Sequence, residues 1–239
     1  MGARLGILML DTQFPRIPGD VGNADTWPFP VRYHVVQGAT PQAIVCNDPE
    51  PFVQDFIAAG HDLIAQGCTG IATTCGFLAL IRPRLSQALG VPVAASALEQ
   101  AAQVQSMLPP DQRLGILTIS RSSLTRGHLD AAGVPGNAAV HGLDHSGFAA
   151  SILGNCRDLD VQAARSDMIN AARSLVDAAP DIGAIILECT NMAPYANDIA
   201  RAVQRPVYSI VSYLGWFHAG LVPMGFPPPR NQPLAKLTL

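Results

Sequence analysis

The stretch Arg4-Leu5-Gly6-Ile7-Leu8 recurs letter for letter as Arg113-Leu114-Gly115-Ile116-Leu117, 109 residues further along the chain. Two more matches follow in the same order. Gly70-Ile71-Ala72-Thr73-Thr74-Cys75 parallels Gly183-Ala184-Ile185-Ile186-Leu187-Glu188-Cys189, with the two cysteines 114 residues apart, and Pro92-Val93 stands 114 residues before Pro206-Val207. Three matches at a nearly constant offset read as two copies of one unit.

Inside each copy, strand and helix patterns alternate. The apolar runs 4–10 and 113–119 suit strands buried on both faces of a parallel sheet, and 31–37 and 138–143 read as second strands. Residues 50–66 place Phe52, Phe56, Ala59 and Leu63 at helical spacing behind Asp48-Pro49, and 160–179 do the same with Ala164, Met168, Ala171, Ala172 and Leu175. Each of these helices leads into a cysteine-bearing strand, then a helix (77–89 and 192–203), then the Pro-Val strand. The predicted fold class is α/β, as two pseudo-symmetric parallel-sheet domains with the active site in the cleft between them. The first domain takes residues 1–96 plus 211–239, with 211–221 as a helix crossing back to it, and the second takes 97–210. Residues 11–29, rich in proline and glycine, form a loop long enough to serve an active site. The tail 223–239, with Pro227-Pro228-Pro229 and Pro233, reads as extended over the surface or over a partner subunit in a possible homo-oligomer.

Composition narrows the function. The 239 residues are 49% hydrophobic and only 14% charged, against roughly 25% in an average soluble protein. The net charge of −3 comes without a basic run, so nucleic acid is not an expected partner, and no apolar run approaches a membrane span. The N-terminus shows no signal-peptide pattern, which makes the cytoplasm the expected location. Five cysteines without CxxC or zinc-type Cys/His spacing predict neither a disulfide framework nor a metal site. Lys236 is the only lysine, leaving no place for a pyridoxal phosphate Schiff base, and Gly19-Asp20-Val21-Gly22 lacks the strand-turn-helix setting of a dinucleotide site. No cofactor is expected.

In parallel α/β units, ligands bind at the carboxyl ends of the strands, where Cys75 and Cys189 stand. Two thiols facing each other across a small molecule form the pair that inversion of a stereocentre needs, one removing a proton and the other returning it on the far side. A helix start lowers a thiol pKa from about 8.5, so one thiolate near neutrality is expected. Cys46, Cys68 and Cys156 lack repeat partners and read as packing. Around the pair, Thr74, Gly76 and Phe77 flank Cys75, while Thr190 and Asn191 follow Cys189 as donors to a substrate carboxylate or as helix caps. Asp11 ends the first strand, where it could face the substrate or open an Asx turn. Ser120 and Ser122 end the equivalent strand as ligand contacts or caps. Glu188 is expected to point to the opposite face of its strand, and His141, Asp144 and His145 read as a surface loop.

The strand-end Cys75, the duplicate strand ending in Cys189-Thr190 and the missing lysine resemble the aspartate/glutamate racemase superfamily, which includes hydantoin racemases and arylmalonate decarboxylases. The resemblance spans residues 4 to about 221. It implies two pseudo-symmetric domains, Cys75 and Cys189 as catalytic pair, no cofactor and a small carboxylate or carbonyl substrate. Members acting on glutamate carry Asn-Thr after the first cysteine and His after the second Cys-Thr. This chain has Gly76-Phe77 and Asn191, so the glutamate substrate does not carry over. The decarboxylases keep one cysteine and have glycine in place of the other, so possession of both argues for an isomerase, a racemase or epimerase. The alternatives are a lyase or isomerase of the same superfamily using one cysteine, and a non-catalytic small-molecule binder.

Overall fold

A computed structural model describes residues 2–227; the reading of the tail from residue 228 onward lies outside them. In the first half, β1 (Leu5–Leu10), β2 (Val31–Val36), β3 (Gly70–Thr73) and β4 (Val93–Ala94) make an all-parallel sheet in the order β2-β1-β3-β4. Helix α1 (Val53–Ala65) leads into β3, and α2 (Arg82–Leu89) leads into β4, ending at Gly90 with φ of 66°. Only glycine takes that left-handed turn without strain. A short α3 (Ala101–Ser106) then passes the chain to the second half.

There, β5 (Arg113–Thr118), α4 (Arg126–Ala131), β6 (Ala139–Gly142), α5 (Gly147–Leu153), α6 (Val161–Ala178), β7 (Ile182–Leu187), α7 (Ala196–Val203) and β8 (Val207–Tyr208) repeat the plan. The sheet order is β6-β5-β7-β8, again all parallel, which is the first sheet's order strand for strand. The inner strands β3 and β7 are buried at every residue, as their apolar sequence, broken only by Thr73, requires of strands covered on both faces. Asp160 starts α6 by accepting from the amides of Gln162 and Ala163.

Helix α8 (Ile210–Leu221) follows the second sheet but packs on β3 of the first. A side chain at Gly70 would meet Leu221 at 2.6 Å and Phe217 at 3.0 Å. His218 of α8 also stacks on Phe29 of the long loop, with ring centres 3.5 Å apart. The helices expected over 77–89 and 192–203 each begin instead with a tighter 3-10 turn, Gly76–Leu80 and Thr190–Tyr195. Pro83 and Pro194 account for this: neither has an N–H to give to a continuous α-helical ladder. Among the described residues, no helix is long and apolar enough to cross a membrane.

Candidate active site

Each cysteine stands two residues past the end of an inner strand and directly precedes the 3-10 turn, with extended backbone in both halves. The Thr73 hydroxyl fixes the first: it donates to the Ala95 carbonyl at 2.7 Å and accepts the Cys75 amide at 3.3 Å. At the second, the Cys189 thiol donates to Asn191 Oδ1 at 3.6 Å. Both thiols are buried and line one cavity between the halves. The Thr190 hydroxyl closes the seam by donating to the Thr74 carbonyl at 2.7 Å.

Of the residues singled out from sequence, Thr74, Gly76, Phe77, Thr190 and Asn191 line this cavity with the cysteines. Three others lie elsewhere. Asp11 turns its carboxylate to the Gly38 amide at 3.0 Å, which makes it a brace between the ends of β1 and β2 rather than a wall of the cavity. Ser120 and Ser122 hydrogen-bond to each other and to Asp144 in a separate, open depression of about 1230 Å³. That depression is larger, but it holds neither of the paired thiols.

The long loop brings in Thr12, Phe14 and Arg16, which also line the thiol cavity. Arg16 donates to Asp20 Oδ1 and to the Thr12 hydroxyl, each at 2.9 Å. Asp20, itself buried, accepts from Asn191 Nδ2 at 2.5 Å. Arg16, Asp20, Asn191 and Cys189 therefore form one chain of contacts from the loop to the second thiol. Neither Arg16 nor Asp20 carries a motif, and only the length of their loop pointed toward a site.

Glu188 is the main residue that sequence reasoning misplaced. It lines the cavity and is 1% exposed. Alternation along a strand would turn it away, but β7 ends at Leu187 and the alternation ends with it. The repeat held a better signal, because the offset of 114 that pairs the cysteines also pairs Glu188 with Thr74. Thr74 Oγ1 accepts from the Leu10 amide at 3.0 Å, and Glu188 accepts from the amide of Ile119, the repeat partner of Leu10. Glu188 Oε2 also accepts from Thr118 Oγ1 at 2.9 Å, whereas Oε1 is buried with no partner. Burial pushes this carboxyl up to about 7.

The thiols depart from expectation in the same direction. Burial first, and then the charge of Glu188, push Cys75 up to about 12 and Cys189 well above its usual range. The helix-start amides act in the expected sense: those of Phe77 and Leu78 favour a thiolate at Cys75 and that of Asn191 favours one at Cys189. They are outweighed, since desolvating a charge costs more than a few amide dipoles return. The cavity itself measures about 20 Å³, room for roughly one water. A small carboxylate therefore needs the lining to shift outward before it fits.

Comparison with known proteins places the chain in a family. Residues 94–216 match Asp/Glu/Hydantoin racemase. The chain belongs to the Asp/Glu/hydantoin racemase family. Its fold is that of an allantoin racemase from Klebsiella pneumoniae, 19% identical over 92% of this chain and 88% of that one, with a TM-score of 0.67. It is also that of an arylmalonate decarboxylase, 17% identical over 92% and 94% of the two chains, with a TM-score of 0.59. In sequence, this family member is 28% identical to a dimethylsulfoniopropionate lyase of Durusdinium sp. clade D, over 92% of this chain and 75% of the relative. It is likewise 28% identical to dimethylsulfoniopropionate lyase 7 of Emiliania huxleyi, over 91% and 67%. These relatives overturn the expectation of an isomerase, because they are lyases. Possession of both cysteines was a poor guide: racemisation and elimination share their first step, removal of a proton beside a carboxylate, and differ only in what the carbanion does next.

Proposed function

We propose that this chain is a lyase that uses its own side chains to cleave a small carboxylate bearing a leaving group on its β carbon. One cavity thiolate takes the α proton, the C–H electrons form the Cα=Cβ double bond, and the leaving group departs with the electrons of its bond to Cβ. With dimethylsulfoniopropionate, the substrate named by the relatives, the products are acrylate, neutral dimethyl sulfide and the proton now on sulfur. The observation that carries this reading is the meeting of Cys75 and Cys189 with the buried Glu188 in one closed cavity.

Cys75 is the better base of the two. The backbone amides of Phe77 and Leu78 and the charge of Arg16 all favour its thiolate, whereas the Cys189 S–H is engaged as a donor to Asn191. Cys189 then serves as a neutral wall and donor, held through Asn191 and Asp20. Thr74, Gly76, Phe77, Thr190 and Asn191 shape the rest of the pocket, and the buried lining keeps water from the carbanion. The test is headspace detection of dimethyl sulfide from the purified chain supplied with dimethylsulfoniopropionate at neutral pH. Sustained, enzyme-dependent release supports the reading, and release no faster than in buffer overturns it.

A further inference from the structure

The cavity carries one unpartnered donor and one unpartnered acceptor. Arg16 Nε and Glu188 Oε1 are both buried with no hydrogen-bond partner, and both residues line the same space. A buried polar atom without a partner costs stability, so a site that keeps one of each sign has a use for them. None of the ion pairs among the described residues includes Glu188. The chain also gives up a side chain to make room for it: a Cβ at Gly76 would strike the Glu188 carboxylate and lie 2.7 Å from its carbonyl oxygen. Around these two charges the walls are apolar, with Leu10, Phe14, Phe77 and Ile119.

We propose that Glu188 is the subsite for a permanent positive charge on the substrate's β substituent, so that the chain selects zwitterionic 3-onio carboxylates whose carboxylate lies toward Arg16. This inference rests on the lyase reading and narrows its substrate class. A sulfonium or quaternary ammonium group has methyl groups and a charge but no N–H to donate. It is therefore recognised by a carboxylate set among apolar and aromatic surfaces rather than by a hydrogen-bonding acceptor array. Arg16 meanwhile supplies the guanidinium that a carboxylate prefers. The same placement serves the chemistry, since a cation seated beside Glu188 offsets the second of the two causes, after burial, that push both thiols up, and so brings Cys75 closer to ionising. A neutral substrate of the same shape would leave the contribution of Glu188 in place.

The test compares two ligands that differ only in charge, 3-(trimethylammonio)propionate, whose amine leaves far less readily than dimethyl sulfide, and its carbon isostere 4,4-dimethylpentanoate, which has no leaving group. By calorimetry the unaltered chain should prefer the cation by about 30-fold, and Glu188→Gln should bring the two within about threefold. A ratio within one protein does not depend on how much of the variant is folded. The unaltered chain offers a second reading should the variant not fold: binding of the cation near pH 7 should release protons, and binding of the isostere should not. Equal affinities in the unaltered chain, or a preference that survives Glu188→Gln, overturn the subsite. If dimethyl sulfide is released despite equal affinities, the subsite alone is wrong. If no dimethyl sulfide is released and neither ligand binds, the lyase reading falls as well. A charge preference without release would uphold the subsite and refute the elimination.

Discussion

The Thr190 hydroxyl donates to the backbone carbonyl of Thr74 at 2.7 Å, joining the residue after one cysteine to the residue before the other. This bond sets how far apart the two strand ends stand. Thr190→Val keeps the shape and removes the donor, leaving a buried carbonyl without its partner at a cost of roughly 1–3 kcal/mol. The denaturation midpoint should fall accordingly. Turnover should drop by more than about tenfold, because a small displacement of reacting groups is expensive in rate. Thr190→Ser should retain both properties.

Gly76 and Glu188 should behave as a coupled pair. The added methyl of Gly76→Ala meets the Glu188 carboxylate, the Glu188 carbonyl at 2.7 Å and Ser96 Oγ at 3.1 Å. Overpacking of this kind costs roughly 1–3 kcal/mol. Trimming the carboxylate in Gly76→Ala/Glu188→Ala relieves part of the clash, so a double-mutant cycle from urea titrations should give a loss smaller than the sum of the single losses. Additive losses would mean that the two do not press on each other.

Stability should carry the mark of Glu188 in its pH dependence. Burial raises this carboxyl from an ordinary 4.5 to about 7, so the folded state binds its proton more tightly than the unfolded state does. The resulting stabilisation is complete below about 4.5, fades as pH rises through 7 and is gone above, with a full span of roughly 3 kcal/mol. Glu99, likewise raised to about 7 by burial, adds a contribution of the same sign. Denaturant titrations between pH 4.5 and 8 should therefore show the unaltered chain losing stability with rising pH, and Glu188→Gln losing distinctly less.

The division of labour between the thiols separates the single-base lyase from a symmetric pair. Cys75→Ser removes the proposed base and should lower turnover by about a thousandfold or more, since a serine hydroxyl does not ionise usefully here. Cys189→Ala keeps the base and loses a neighbouring donor, so about a ten- to hundredfold loss is expected. Steady-state rates of dimethyl sulfide release decide between the two, and the reverse ranking would move the base to Cys189.

The repeat made the architecture readable. Two sheets of identical strand order follow from Arg4-Leu5-Gly6-Ile7-Leu8 and its copy, and the paired offset brought Cys75 and Cys189 to notice together. Other features were out of reach. The helices α3, α4 and α5, of six or seven residues each, are too short for a periodic stripe to stand out. Asp11, Ser120 and Ser122 end strands as active-site residues often do, yet their side chains fold back onto Gly38 and Asp144. Burial depth has no local sequence signature, so the direction in which the thiols shift was misjudged from the helix starts alone. The overturned isomerase expectation has a similar origin, since the first proton transfer demands the same residues whichever product follows.

Proton NMR of the purified chain with dimethylsulfoniopropionate follows the elimination proposed for the cavity shared by Cys75 and Cys189. Acrylate and dimethyl sulfide should accumulate in equal amounts from the unaltered chain, with no 3-hydroxypropionate, and Cys75→Ser should produce neither. Unchanged dimethylsulfoniopropionate after prolonged incubation, or 3-hydroxypropionate in place of acrylate, would contradict it.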